Sequence, residues 1–184
     1  MSSSPADVRD GVWETIAREA GRESPLWGAA LRDGGERDET AVFSPLAPGR
    51  YAVGLESIYE GYLLHYGRAR LFAPPDADTA VLLGDYLYAH GLVRVAAHGE
   101  VAVVADLAEL VSICAHLRAE QWEGDGAAWA GTVALLGAGD PRLETARAAL
   151  RLRGDSAALL ALAEAEAGAA AVEQALALHA ERVD

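Results

Sequence analysis

From Tyr51 onward, apolar residues recur at helical rather than strand spacing. Val53, Leu55, Ile58, Tyr62 and Leu63 predict a helix running through about Tyr66. Pro74-Pro75 then breaks the chain. Asp76 or Asp78 is placed to cap the next helix, because a short side-chain oxygen satisfies the free N–H groups of a first turn. That helix is predicted from Thr79 to His98, with Gly99 ending it. Its Leu82, Leu83, Tyr86, Leu87 and Ala89 make it apolar on more than one side, which predicts burial on several sides. The segment Val101 to Trp122 follows, with Leu107, Leu110, Val111, Cys114 and Leu117 on its core face and Gly124-Asp125-Gly126 terminating it. Further helices are predicted over 127–137, 141–152 and 155–181, with Asp140-Pro141 and Asp155-Ser156 as start signals. Ahead of this block, residues 8–22 read as a helix with Trp13 and Ile16 on its apolar face. The stretch from Gly21 to Gly49 is polar and reads as a mobile loop, or as an arm that docks on something. No tandem repeat and no period-two strand pattern stands out. The chain thus divides into residues 1–50, an N-terminal helix plus polar loop or arm, and 51–184, a helical bundle. The expected fold class is all-α.

Composition sharpens this picture. A chain of 184 residues suits one domain with a real core, and 52% hydrophobic residues exclude a disordered chain. The net charge is −13, and all 15 basic residues are Arg. So acidic a chain repels phosphate backbones and anionic lipid, which argues against nucleic acid as a partner. Cys114 is the only cysteine and sits in the apolar run Leu110 to Ala115. It reads as a buried, inert thiol in a reducing, cytoplasmic setting. Residues 1–7 lack the charged and apolar regions of a signal peptide. Residues 157–180 are rich in Ala and Leu but carry Glu164, Glu166 and Glu173, so a packed helix is expected there and no transmembrane segment.

The candidate chemistry lies between residues 56 and 91. Glu56-Ser57-Ile58-Tyr59-Glu60 is followed by His65-Tyr66-Gly67-Arg68, and then by Leu83-Gly84-Asp85-Tyr86-Leu87-Tyr88-Ala89. This order and spacing resemble the central helices of the trans-isoprenyl diphosphate synthases, over about residues 50–124. In that family a DDxxD motif binds Mg²⁺, which grips the substrate diphosphate; hard oxygen ligands suit a hard cation. The motif's first, second and last positions map to Glu56, Ser57 and Glu60. Two carboxylates stay one turn apart, and Ser57 removes a charge. The family's diphosphate-binding Arg-Arg pair maps to His65 and Tyr66, with Gly67 matching the glycine that follows. Arg68 and Arg70 lie nearby, out of register. Gly84 and Asp85 match the "GD" of the next family helix, which there is mainly structural and shapes the prenyl-chain pocket. A second aspartate-rich motif is missing, and no Lys-Thr pair exists in a chain without Lys.

The resemblance implies an isoprenoid-synthase-like bundle that has lost the ancestral catalysis. Its first functional expectation is a non-catalytic accessory or regulatory subunit of a polyprenyl diphosphate synthase, with no catalytic residue of its own and no required cofactor. A stand-alone homodimeric module binding an isoprenoid or other apolar ligand is the alternative. A divergent enzyme using Glu56 and Glu60, with Asp85, to hold Mg²⁺ is the third. Glu56, Glu60, Asp85, His116 and Glu120 are the residues whose convergence in a bundle would bind metal. The paired Glu-x-x-His motifs of a di-iron bundle are absent. His65, Tyr66, Arg68, Gly84, Asp85, Tyr86, Tyr88, His116 and Glu120 are candidate pocket or interface residues. The tyrosines from Tyr59 to Tyr88 suit pocket walls and interfaces, or a core with satisfied hydroxyls. His90 and His98 read as a solvated or partner-facing stripe, with His98-Gly99 at a helix end. Trp122 and Trp129 are expected to pack on the bundle end.

Overall fold

The computed structural model describes residues 5–183, with side chains from residue 11 onward. The fold is all-α, as expected. Nine helices follow in order among the described residues: α1 (Pro5–Glu23), α2 (Pro25–Ala29), α3 (Ala52–Tyr66), α4 (Ala77–Ala96), α5 (Val101–Ala119), α6 (Asp125–Ala134), α7 (Pro141–Arg153), α8 (Ala157–Ala167) and α9 (Ala169–Val183). No strand occurs among these residues. One isolated antiparallel bridge joins Leu31 to Phe72. None of the described helices is long and apolar enough to cross a membrane.

The helix starts follow local chemistry. Asp76 caps α4, its carboxylate accepting from the Thr79 N–H at 2.7 Å. Asp140 caps α7 by accepting from the Arg142 N–H at 2.9 Å, and Pro141, which has no N–H to leave unsatisfied, opens that helix. The continuous helix predicted over 155–181 is in fact two. Gly168 stands between α8 and α9 at φ 88°, ψ 138°, a conformation that L side chains rarely adopt. The alanines on both sides hide this break from the periodicity.

Two helices form the centre. In α3 every residue from Gly54 to Leu63 is buried, and in α6 every residue from Asp125 to Val133. Helices α5, α7, α8 and α9 all pack on α6. The most extensive pairing in the molecule is α3 against α4, and glycines set its distance. A Cβ at Gly91 would stand 2.6 Å from the Gly54 carbonyl oxygen, and one at Gly61 would stand 2.8 Å from that of Gly84. Gly54 and Gly61 lie two turns apart on α3, as Gly84 and Gly91 do on α4, so the two backbones touch at two levels.

Residues 11–50 belong to the same packed body. Val12, Trp13 and Ile16 of α1 share a core with Leu71, Phe72, Leu83 and Leu87. Of the two readings for residues 21–49, the docked arm is what forms, and it docks on its own bundle. Val42, Phe43 and Leu46 are buried there, with Phe43 stacked on Trp129 at 5.4 Å and edge-on to Tyr59 at 5.3 Å. The same stretch carries the end of α1 and then α2, which Ser24 caps by accepting from the Leu26 N–H.

Candidate functional site

Helical geometry puts Glu56 and Glu60 on one face of α3, one turn apart. Both are buried, at 1% and 0% exposure. After α3 ends, the chain turns back along it, and Arg70 descends onto the pair. Its Nη1 donates to Glu56 Oε2 at 2.8 Å and its Nε to Glu60 Oε2 at 3.0 Å. Nη1 also donates to the Thr40 carbonyl at 2.9 Å, which ties the arm to the same cation. Glu60 Oε1 accepts from the main-chain N–H groups of Arg70 and Leu71, at 2.9 and 2.7 Å. The guanidinium lies over the rings of Trp13 and Tyr59, 4.8 and 4.9 Å from their centroids. The carboxylates that the sequence marks for a metal are therefore held by a guanidinium from the same chain. Ser57 joins neither group: its hydroxyl donates one turn back to the Val53 carbonyl at 2.8 Å and sits 3.2 Å from His90 Nδ1.

The five candidate metal residues do not converge. Asp85 is exposed, and its Oδ1 faces His65 Nε2 at 3.2 Å. His116 Nε2 meets the Arg151 carbonyl at 3.2 Å, while Glu120 is exposed at the end of α5. Among the described residues no cluster of three or more His, Cys, Asp or Glu side chains is placed to hold a metal ion. His65, Tyr66, Gly84, Asp85 and Tyr88 do form one neighbourhood. The His65 ring stacks on Tyr88 at 5.2 Å and tilts against Tyr66, and it lies so close to Gly84 that a Cβ there would collide with it. Tyr86 instead stacks on Trp27 of α2. Arg68 binds the end of α9, its Nη2 donating to the Glu181 carbonyl at 2.8 Å. His90 turns inward to Glu19, 2.6 Å away, whereas His98 is exposed, so the two form no common stripe. Trp129 lies in the central core, while Trp122 is part exposed.

A second buried network runs beneath α3. The Tyr62 hydroxyl and Arg118 both donate to Asp125 Oδ2, and Gly126 N–H donates to Oδ1 at 3.0 Å. His179 Nε2 stands 3.5 Å from Oδ1, at ion-pair distance, while its Nδ1 meets the Tyr59 hydroxyl at 2.9 Å. Burial pushes the Asp125 carboxyl upward. The Tyr62 hydrogen bond, the nearby His179 ring and the Arg118 guanidinium outweigh it and hold Asp125 well below the usual carboxylate range. Burial also pushes the Tyr59 and Tyr62 hydroxyls far up, so both remain neutral. It does the same to the Cys114 thiol, which fits an inert residue. These groups tie α3, α5, α6 and α9 together.

Between the arm, α1, the start of α3 and α9 lies a cavity of about 780 Å³. Its walls are mostly apolar: Val12, Trp13, Val42, Pro45, Ala52, Ala175 and Leu178, with Thr40, Ser44 and Gln174 adding neutral polar groups. The two charged side chains in the lining, Glu39 and Glu56, are both acidic. Glu56 Oε1 is buried and has no hydrogen-bond partner among the described residues. None of the Tyr59, Tyr62, Asp125 or His179 side chains lines this cavity.

Sequence reasoning found Glu56 and Glu60 but missed Arg70, Asp125, His179 and the arm wall. Arg70 falls out of register with any motif, and Asp125 reads as part of a Gly-Asp-Gly terminator. No family model, curated protein or solved structure matches the chain.

Proposed function

We propose that the chain is a non-catalytic helical binding module that takes a small, largely apolar ligand between its arm and its bundle. The cavity of about 780 Å³ carries this reading. It falls in the size range of small-molecule sites, and it combines apolar walls with a few polar groups, as such sites do. The Arg70 clamp supports the non-catalytic half, because Glu56 and Glu60 already hold a cation. Ala175 lines the cavity from α9, so Ala175→Trp should fill it. Farnesol, an uncharged prenyl alcohol, should raise the melting temperature of the native chain, since a ligand that binds only the folded state stabilises it. Ala175→Trp should remove that rise. No rise in the native protein refutes the reading for prenyl alcohols, and a rise that survives Ala175→Trp refutes the cavity as its site.

A second reading is an accessory subunit of a polyprenyl diphosphate synthase. The close seating of Gly84 against His65 and α3 supports it, since the resemblance gives that segment a structural role. So do Val81, Leu82 and Val93, large apolar side chains exposed along α4 where a protein partner can sit. Affinity capture of the tagged chain from its own host, followed by mass spectrometry, tests it. A full-length prenyl synthase recovered near one-to-one supports the subunit; recovery of the bait alone sinks a stable heteromer.

A further inference from the structure

Helices α4 and α5 turn a face nearly free of charge to solvent. We infer that this face binds a second copy of the chain, with α4 and α5 packing on their own mates about a two-fold axis. No α4 or α5 side chain lines the cavity, so this contact is independent of the ligand reading.

Charge is distributed one-sidedly on α5. Its exposed stripe is Val101, Ala105, Ala108, Ser112, Ala115 and Ala119. Its Asp, Glu, His and Arg side chains all turn inward. Asp106 pairs with Arg147 at 3.0 Å, Glu109 with Arg151 and Arg118 with Asp125, while His116 meets the Arg151 carbonyl at 3.2 Å. The later helices do the reverse: α7 exposes Arg142 and Glu144, α8 Glu164 and Glu166, α9 Glu173 and Glu181. A surface helix ordinarily puts its charges in water. On α4, Leu82 is 57% exposed and Val93 68%, with Ala89 and Ala96 exposed on the same face. Asp85 is the one acid among them. Leu92, Val104 and Val111, part-buried beside these stripes, carry the uncharged surface toward the seam where α4 packs on α5.

Spacing, charge and area favour a second copy as the occupant. The α5 stripe has the same intervals read in either direction. An antiparallel mate therefore sets Val101 against Ala119, Ala105 against Ala115 and Ala108 against Ser112. The α4 stripe is symmetric about Ala89, with Leu82 and Ala96 at equal distance on either side. Ala89 and the midpoint of α5 lie about 11 and 14 Å along their helices from the short connection that joins them, so one two-fold axis passes near both. Small side chains at that axis let the helices approach closely. In a chain of net charge −13, two copies repel unless they meet on a neutral face. In this register Asp85 stands about 12 Å from its own mate, beyond a Debye length of about 8 Å. Two adjacent helices about 28 Å long, with axes 8–10 Å apart, present a face of roughly 550 Å². Two such faces bury roughly 1,100 Å², above the ~1,000 Å² that a specific interface needs.

Sedimentation velocity on the full chain, from about 1 to 100 μM, tests this. The native protein should sediment as two chains at the upper end. Ala108→Glu sets a carboxylate beside its own mate at the axis and should weaken the dimer at least about tenfold; Val93→Glu, on the other helix, should do the same. Both sites are exposed, so circular dichroism should stay at wild type. Ser112→Arg alone should also weaken association, but mixing it with Ala108→Glu should restore a dimer, because the antiparallel register sets position 108 against 112. Leu152→Glu, exposed on α7, should change nothing. A native chain that stays monomeric at about 100 μM overturns the inference. So does a dimer that survives both Ala108→Glu and Val93→Glu. Mixing that recovers no dimer overturns the antiparallel pairing. A monomer that captures another protein from its host, and loses it on Ala108→Glu, gives the face to that partner and overturns self-association.

Discussion

Replacing Arg70 by Met keeps much of the side chain's apolar volume and removes the cation between Glu56 and Glu60. Glu56 then loses the contact at 2.8 Å and has no other described side-chain donor. Glu60 fares better, because the Arg70 and Leu71 N–H groups still donate to its Oε1. Removing one partner of a buried ion pair costs about 3–5 kcal/mol. The main-chain donors left to Glu60 put this case near the lower end, at about 3 kcal/mol. A domain's whole stability is about 5–15 kcal/mol, so urea denaturation at neutral pH should show the loss plainly. The effect should also depend on pH. Orphaned, buried carboxylates bind protons more tightly folded than unfolded, so the variant should regain stability relative to wild type as pH falls toward the carboxylate range. Glu56→Met with Glu60→Gln in the Arg70→Met background should recover most of the loss, since a buried pair replaced by uncharged groups is often neutral. A variant within about 1 kcal/mol of wild type at neutral pH, or a deficit that deepens with acid, would refute the clamp as a source of stability.

Asp125→Asn should destabilise the fold at neutral pH. Because the Asp125 pKa is depressed from 3.8, its contribution is complete above that value and is lost only as pH falls further; the gap between variant and wild type should close below pH 3.8 in acid denaturation. Gly91→Ala drives a methyl into the Gly54 carbonyl and the Ile58 side chain, and should cost about 1–3 kcal/mol in urea denaturation. Gly35→Ala, with no atom within 4 Å of the added carbon, should change stability by less than about 0.5 kcal/mol. Gly168→Ala should lower stability by about 1–3 kcal/mol, because alanine cannot adopt φ 88°, ψ 138° without strain; an unchanged melting temperature would show that the α8–α9 junction tolerates another backbone path.

The helices were legible because apolar spacing and caps are local. Asp76 and Asp140 announce α4 and α7, and both act as caps in the structure. Gly168 was missed as a break, since its neighbours are good helix formers on both sides. The candidate site was half legible. Glu56 and Glu60 stood out as a pair, but what fills the space between them depends on a loop returning along α3, and no local pattern announces that path. The arm was opaque for a related reason. Val42, Phe43 and Leu46 are too few and too irregularly spaced to signal an element, and their burial depends on surfaces supplied by α3, α6 and α9. Asp125 shows the same limit, because its partners Tyr62, Arg118 and His179 come from three separate helices.

The glycine contacts between α3 and α4 have a mechanical consequence. With two backbones touching at two levels, neither helix can slide or roll without driving carbonyl oxygens into the opposing chain. Glu56 rides on this stiff rail. The facing wall, residues 39–49, has only short turns and is secured at a few points, chiefly the Phe43 stack and the Thr40 carbonyl on Arg70. The cavity therefore lies between a helix held in register and an arm built of short turns, so a change in its shape falls to the arm while the α3 wall stays fixed.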